Sequence, residues 1–188
     1  MKSIVIFSAF ILSTLVMSSC GSPKNIQSAT GAEEVSIPFS ESKYKTDKSN
    51  FRARQSGTSP DLAMSKKIAL QNAKTELARN IKEIFKVVTS QYSNQRSVGT
   101  NQEYENKVEE QIISSLNEAL TEVAIIEEKV FREKNGSFTY WIVVEKSKSS
   151  ILDGASNKIS AESKLKLDYD KKKFEEIFNN EMEKLANQ

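Results

Sequence analysis

The chain has 188 residues, room for one domain with tails, since domains commonly take about 100 to 150 residues. Its 27 basic and 25 acidic residues leave a formal net charge of +2 with the signs interspersed, which excludes the clustered basic face of a nucleic-acid-binding protein. It has no histidine and a single cysteine, Cys20, so a transition-metal site would lack its preferred ligands and histidine- or cysteine-based catalytic triads are excluded.

The first residues, MKSIVIFSAFILSTLVMSSC, have three parts. Lys2 and the amino group supply positive charge, Ile4 to Met17 is apolar except for Ser8, Ser13 and Thr14, and Ser18 and Ser19 precede Cys20 as small residues. The apolar run is shorter than the roughly 20 residues that span a bilayer, and its form is that of a signal peptide, with an uncleaved anchor or a buried helix as the alternative. Met17-Ser18-Ser19-Cys20 resembles the lipobox of bacterial lipoproteins, with Met17 where leucine is usual. That resemblance implies that residues 1–19 are removed and that Cys20 carries acyl chains. By lipoprotein sorting rules, Gly21 favours the outer membrane, and the lack of an acidic run after Cys20 argues against surface export. Each buried methylene is worth about 0.8 kcal/mol, and lasting attachment takes more than one chain.

Residues 20–34 read as a tether, because GSPKNIQSATGA is too small and polar to order itself by burial. Val35, Ile37 and Phe39 alternate with Ser36 and Pro38, which predicts a short edge strand. Ser49 to Gln55 alternates Phe51 and Ala53 with Arg52 and Arg54 and predicts a strand closed by Gly57. Ser59, Pro60 and Asp61 predict a helix start, with Ser59 as cap and Pro60 in the first turn. Ala69, Ala73, Leu77, Ile81, Ile84, Val88 and Tyr92 then mark one face of a long helix from Leu62 to about Tyr92. Ser93 to Asn101 reads as a loop, and a second helix over Gln102 to Leu120 places Tyr104, Val108, Ile112, Leu116 and Leu120 on one stripe.

Glu122–Glu133 and Ser137–Lys146 are rich in branched and aromatic residues and flank Asn135-Gly136, which predicts a β-hairpin. Its Phe138, Tyr140, Ile142 and Val144 face is expected to cover the helices. Trp141 lies on the other face, as packed structure or as a partner contact. Asp153-Gly154 reads as a break, after which a helical tail carries Leu167, Phe174, Phe178, Met182 and Leu185, with Asp168 and Lys172 spaced to pair. The Lys171–Lys173 run would suit anionic lipid, but Glu175 and Glu176 follow, and a solvated helix face is the simpler reading. The apolar stripe needs a partner, either the domain itself or another subunit.

The run Ser59-Pro60-Asp61-Leu62-Ala63-Met64-Ser65, the helix sequence Lys66 to Ile81, and Gly136-Ser137-Phe138-Thr139-Tyr140-Trp141-Ile142-Val143-Val144-Glu145 resemble the Lpp-twenty type of bacterial lipoproteins over about residues 50 to 150. The resemblance implies an α+β domain with helices packed on one face of a small antiparallel sheet, and it brings no catalytic residue. The expected organisation is a signal peptide over 1–19, a tether over 20–34, the α+β domain over 35–150 and a helical tail over 151–188 that the domain folds without.

The functional expectation is a non-enzymatic envelope lipoprotein, attached to the membrane through Cys20, that binds a protein partner or itself. No metal, cofactor or nucleic acid is expected. The alternatives are a module binding a small ligand between sheet and long helix, lined by Phe138, Tyr140 and Leu77, and a glycan hydrolase using two carboxylates about 5 to 10 Å apart. Replacing Cys20 with alanine should abolish palmitate labelling and leave the precursor unprocessed or soluble on cell fractionation; labelling that persists would exclude the anchor.

Overall fold

The computed structural model describes residues 35–95, 102–163, 165 and 169–187. Cys20, the signal peptide, the tether up to residue 34, Leu167 and Asp168 lie outside the described residues, as does most of the loop expected over Ser93–Asn101. From Ile37 to Gln188 the chain forms one compact α+β unit. Its elements are a 3-10 turn at Ser42–Tyr44, β1 (Asn50–Ser59), α1 (Leu62–Gln95), α2 (Gln102–Ala119), β2 (Ala124–Arg132), β3 (Phe138–Ser147), α3 (Lys148–Ala161) and α4 (Lys171–Ala186). The strands make one antiparallel sheet in the order β1-β3-β2.

No strand forms over 35–39. Pro38 and Phe39 occupy a turn, with Phe39 at a φ of 59°, a conformation in which an extended ladder cannot continue. The segment instead leads across the sheet's outer face. Arg54 donates to the Phe39 carbonyl at 2.7 Å, and the Tyr44 hydroxyl lies 3.2 Å from the Glu127 carboxylate, so the strap passes over the row in which Arg54, Val143 and Glu127 stand side by side. Val143 is fully buried although it belongs to the face turned away from the helices.

Strand β1 does not stop at Gly57 but runs on to Ser59. The glycine is there because α1 crosses it closely: a Cβ at this position would lie 2.6 Å from the Ser65 carbonyl oxygen and closer still to the Ala69 nitrogen. Ser65, Ala69 and Ala73 supply the matching small surface on the helix, and all three are fully buried. Asp61, not Ser59, caps α1, accepting from the Met64 N–H at 2.7 Å, while Ser59 ends the strand and Pro60 precedes the cap.

At about 1.5 Å per residue, the 34 residues of α1 extend about 51 Å, whereas the ten residues of β1 extend about 33 Å. The helix therefore outruns the sheet, and its buried residues change from small to large along its length, ending in Phe85, Val88 and Tyr92. Phe85 rather than Ile84 takes the central position; Ile84 is half-buried at the side. Phe51, Phe178, Phe85, Phe174, Tyr92 and Tyr169 form a continuous line of ring contacts with centroids 5.1 to 6.3 Å apart, joining β1, α1 and α4. Helix α2 buries Val108, Ile112 and Leu116, as its stripe predicts, and packs against α1 and α3.

The partner of the C-terminal stripe is the domain itself. Phe174, Phe178 and Met182 of α4 are fully buried in the same core as α1, as are Ile159 and Leu165 before it, so α4 is part of the fold and not a dispensable tail. Nor is the tail one helix. Asp170 caps α4 by accepting from the Lys173 N–H at 3.0 Å, and its own N–H donates to the Tyr92 hydroxyl at 2.7 Å, a tertiary stop that no glycine or proline announces. Conversely Asp153-Gly154 lies inside α3, where a Cβ on Gly154 would come 2.6 Å from Ser115 Oγ of α2. Here glycine marks a helix crossing and not a break.

The hairpin also differs in detail from a two-residue turn. Glu133 N–H donates to the Ser137 carbonyl and Gly136 N–H to the Glu133 carbonyl, so Lys134, Asn135 and Gly136 form a three-residue loop in which Gly136 alone takes positive φ, at 86°. A Gly57→Ala variant should lose about 2 kcal/mol or more, because its methyl meets helix backbone that cannot step aside. Denaturant unfolding checks this: an unchanged midpoint would show that α1 can move off the sheet freely.

Candidate functional site

The two edges of the sheet are treated differently. On β1 the outward backbone groups of Asn50 and Arg52 and the Ser56 carbonyl are occupied. Thr46 Oγ1 accepts from the Arg52 N–H at 3.0 Å and lies 3.2 Å from the Arg52 carbonyl, which it can bond as donor. Asp47 bonds Asn50 from both its carboxylate and its backbone, and Asn72 of α1 donates to the Ser56 carbonyl at 2.9 Å. Arg52 holds this cover in place, donating to the Lys45 carbonyl at 2.8 Å and to Asp47 and Glu145 at 2.6 Å each. Burial works against both charges, but the bonds outweigh it. They raise the pKa of Arg52, and with the Ser49 and Asn50 N–H groups they lower that of Asp47.

Strand β2 has no such cover. All nine of its residues are exposed, among them Ile125, Ile126, Val130 and Phe131. The Glu133 to Ser137 bond sets the alternation: residues 129 and 131 turn their backbone groups to β3, and Glu128, Val130 and Arg132 turn theirs outward. Among the described residues none bonds those outward groups. A bulge between Ile125 and Glu127 interrupts the first part of the strand, leaving 127–132 regular. Helix α1 packs on β1 and β3 and does not pack along β2. At the margin Lys66 of α1 reaches Glu128 at 2.8 Å beside the Tyr140 ring. Lys66, then Tyr140, lower the pKa of the Glu128 carboxyl.

The sequence-predicted site residues fall as follows. Phe138, Tyr140 and Leu77 belong to the covered face; Leu77 is fully buried and Tyr140 nearly so, and the space expected for a ligand is filled by these side chains. Trp141 is half-buried on the outer face, in register between Ser56 and Lys129. Lys171 sits 3.6 Å from Glu175, within its own helix. A groove of about 270 Å³ lies between α1 and α2, with Phe85 and Ile112 among its lining and Lys82, Lys86, Glu105 and Glu109 beside them. The open β2 edge is the feature that sequence reasoning missed. Its signal was present in Ile125, Ile126, Val130 and Phe131, but periodicity does not say which strand of a sheet lies at the margin.

Among the described residues the carboxylates with shifted acidity are Asp47, Glu76, Glu128 and Glu181, and all four are shifted down, Glu76 by Arg79 and Glu181 by Lys184 and Gln91. A proton donor of a glycan hydrolase needs the opposite shift. Among the described residues no group of three or more His, Cys, Asp or Glu side chains is placed to hold a metal ion, and no helix is long and apolar enough to cross a membrane. No family model, curated protein or solved structure matches the chain.

The four lowered carboxyls have a consequence for acid stability. Because the folded protein binds these protons more weakly than the unfolded chain, their contribution is present above the ordinary values of 3.8 and 4.5 and is lost as pH falls through the lower folded values. Thermal melts should therefore fall between about pH 4 and pH 2, and an Asp47→Asn variant should melt lower at neutral pH with a shallower acid decline. Parallel curves for the two proteins would show that Asp47 does not hold the strap.

Proposed function

We propose that this chain is a non-enzymatic, lipid-anchored protein of the Lpp-twenty type, tethered through Cys20 to the outer membrane and facing the periplasm, whose α+β domain acts by binding protein. The observation that carries the reading is the contrast between the sheet edges: β1 is covered by side-chain hydrogen bonds at Asn50, Arg52 and Ser56, while β2 exposes apolar residues and, at Glu128, Val130 and Arg132, backbone groups that no described residue bonds. An exposed strand edge is a template for another strand, and soluble proteins ordinarily protect it. The anchor rests on the signal-like segment and the position of Cys20.

The small-ligand reading has less support. The groove between α1 and α2 is just below the roughly 300 to 1,000 Å³ of ligand sites and is flanked by charges of both signs. Photo-crosslinking residues introduced at Lys129 or Phe131 should trap protein in intact cells, whereas one at exposed Lys67 on α1 should not. Adducts at Lys67 with none on β2 would refute the assignment of the binding surface.

A further inference from the structure

We infer that the occupant of the β2 edge is β2 of a second copy, paired antiparallel about Val130 so that two three-stranded sheets become one of six strands. This deepens the preceding reading and depends on β2 being a protein-binding surface. In antiparallel pairing, residues directly opposite share a face and must both turn their backbone groups toward the junction. Glu128, Val130 and Arg132 meet that requirement, since their N–H and C=O groups point away from β3.

Charge and ladder length together select among the symmetric registers. Centred on Glu128, Lys129 or Arg132, the pair would place two like charges face to face, and centred on Phe131 it would set Glu128 against Lys134 of the hairpin loop and keep only Val130 and Arg132 of the outward groups in the ladder. Centred on Val130, it places Val130 against its own copy and sets Glu128 opposite Arg132 twice, once on either side of the axis. On the other face Lys129 stands opposite Phe131, again twice, and within one chain the Lys129 ammonium already lies 5.6 Å from the Phe131 ring centre. Beyond this stretch Glu127 would face Glu133, and the bulge begins at Ile125, so pairing is confined to residues 128–132. The arrangement is isologous, closes on itself and leaves no second β2 edge free, so it stops at two copies. Together with the acyl chains on Cys20, a two-copy assembly would carry a doubled membrane attachment.

The test is a charge exchange, read as mass by light scattering of the full-length protein in mild detergent. The wild-type protein should be a dimer. Glu128→Arg or Arg132→Glu alone should each halve the protein mass, because like charges then meet at both flanking positions. Mixing the two single variants should restore a dimer containing one of each, and the double variant should dimerise by itself. Far-ultraviolet circular dichroism identifies any variant that has unfolded, and the mixing experiment stands on the two singles together. A wild-type monomer at every concentration tested overturns the proposal, as does a dimer that both single variants retain. In either case crosslinks from Lys129 or Phe131 to a different protein would leave the binding-surface reading standing, whereas no crosslink from β2 would remove both.

Discussion

The close crossing of α1 over β1 is the contact on which the rest of the unit depends. Gly57 has no side chain because helix backbone occupies the space one would need, and Ser65, Ala69 and Ala73 answer with a fully buried small surface. That seat places the first half of α1 over β1 and β3 and sends the second half past the end of the sheet. There it needs other cover, and α2 and α4 supply it. The change from alanine to phenylalanine and tyrosine along one helix face thus records a change of partner, from flat sheet to neighbouring helices. The line of aromatic rings from Phe51 to Tyr169 fills the larger gap.

Placing one long helix over a three-stranded sheet leaves the margins unequal. β1 lies beneath α1 and beside the strap, so side chains from Thr46, Asp47 and Asn72 reach its outward backbone groups. β2 is beyond the body of the helix, and among the described residues Lys66 and Tyr44 reach the Glu128 and Glu127 side chains and not the strand's backbone. An unbonded backbone group at a surface is solvated and costs little, but an apolar strand with a free ladder gains by pairing. The open edge is in this sense a consequence of the geometry that builds the core.

Chemistry follows the same division. The shifted carboxylates sit beside lysine or arginine at the margins of the sheet and on helix faces, which keeps them ionised and suits holding a strap or a helix end. Two of the buried hydroxyls are bonded within the core, Ser65 to the Leu62 carbonyl at 2.8 Å and Ser156 to Tyr169 at 3.1 Å.

Much of this was legible in the residues alone. The helical periods of α1 and α2, the hairpin and its covered face follow from local spacing, because a helix or strand with one apolar side announces itself every three to four or every two residues. The lipid-anchor reading likewise rests wholly on residues 1–21, through the order of charge, apolar run and Cys20. What local spacing could not supply was the meaning of its exceptions. Gly57 and Gly154 read as breaks and are crossings, Pro38 and Phe39 read as strand and are a turn, and the apparent tail is core. Each depends on a residue distant in sequence, Ala69, Ser115 or Tyr92 among them, whose approach no window of neighbours records. By itself, then, the sequence determined most of the helices and strands and which of their faces seek burial. Only the tertiary structure decided which apolar face is covered by other described residues and which, on β2, is not, because that depends on how far one helix reaches across a sheet.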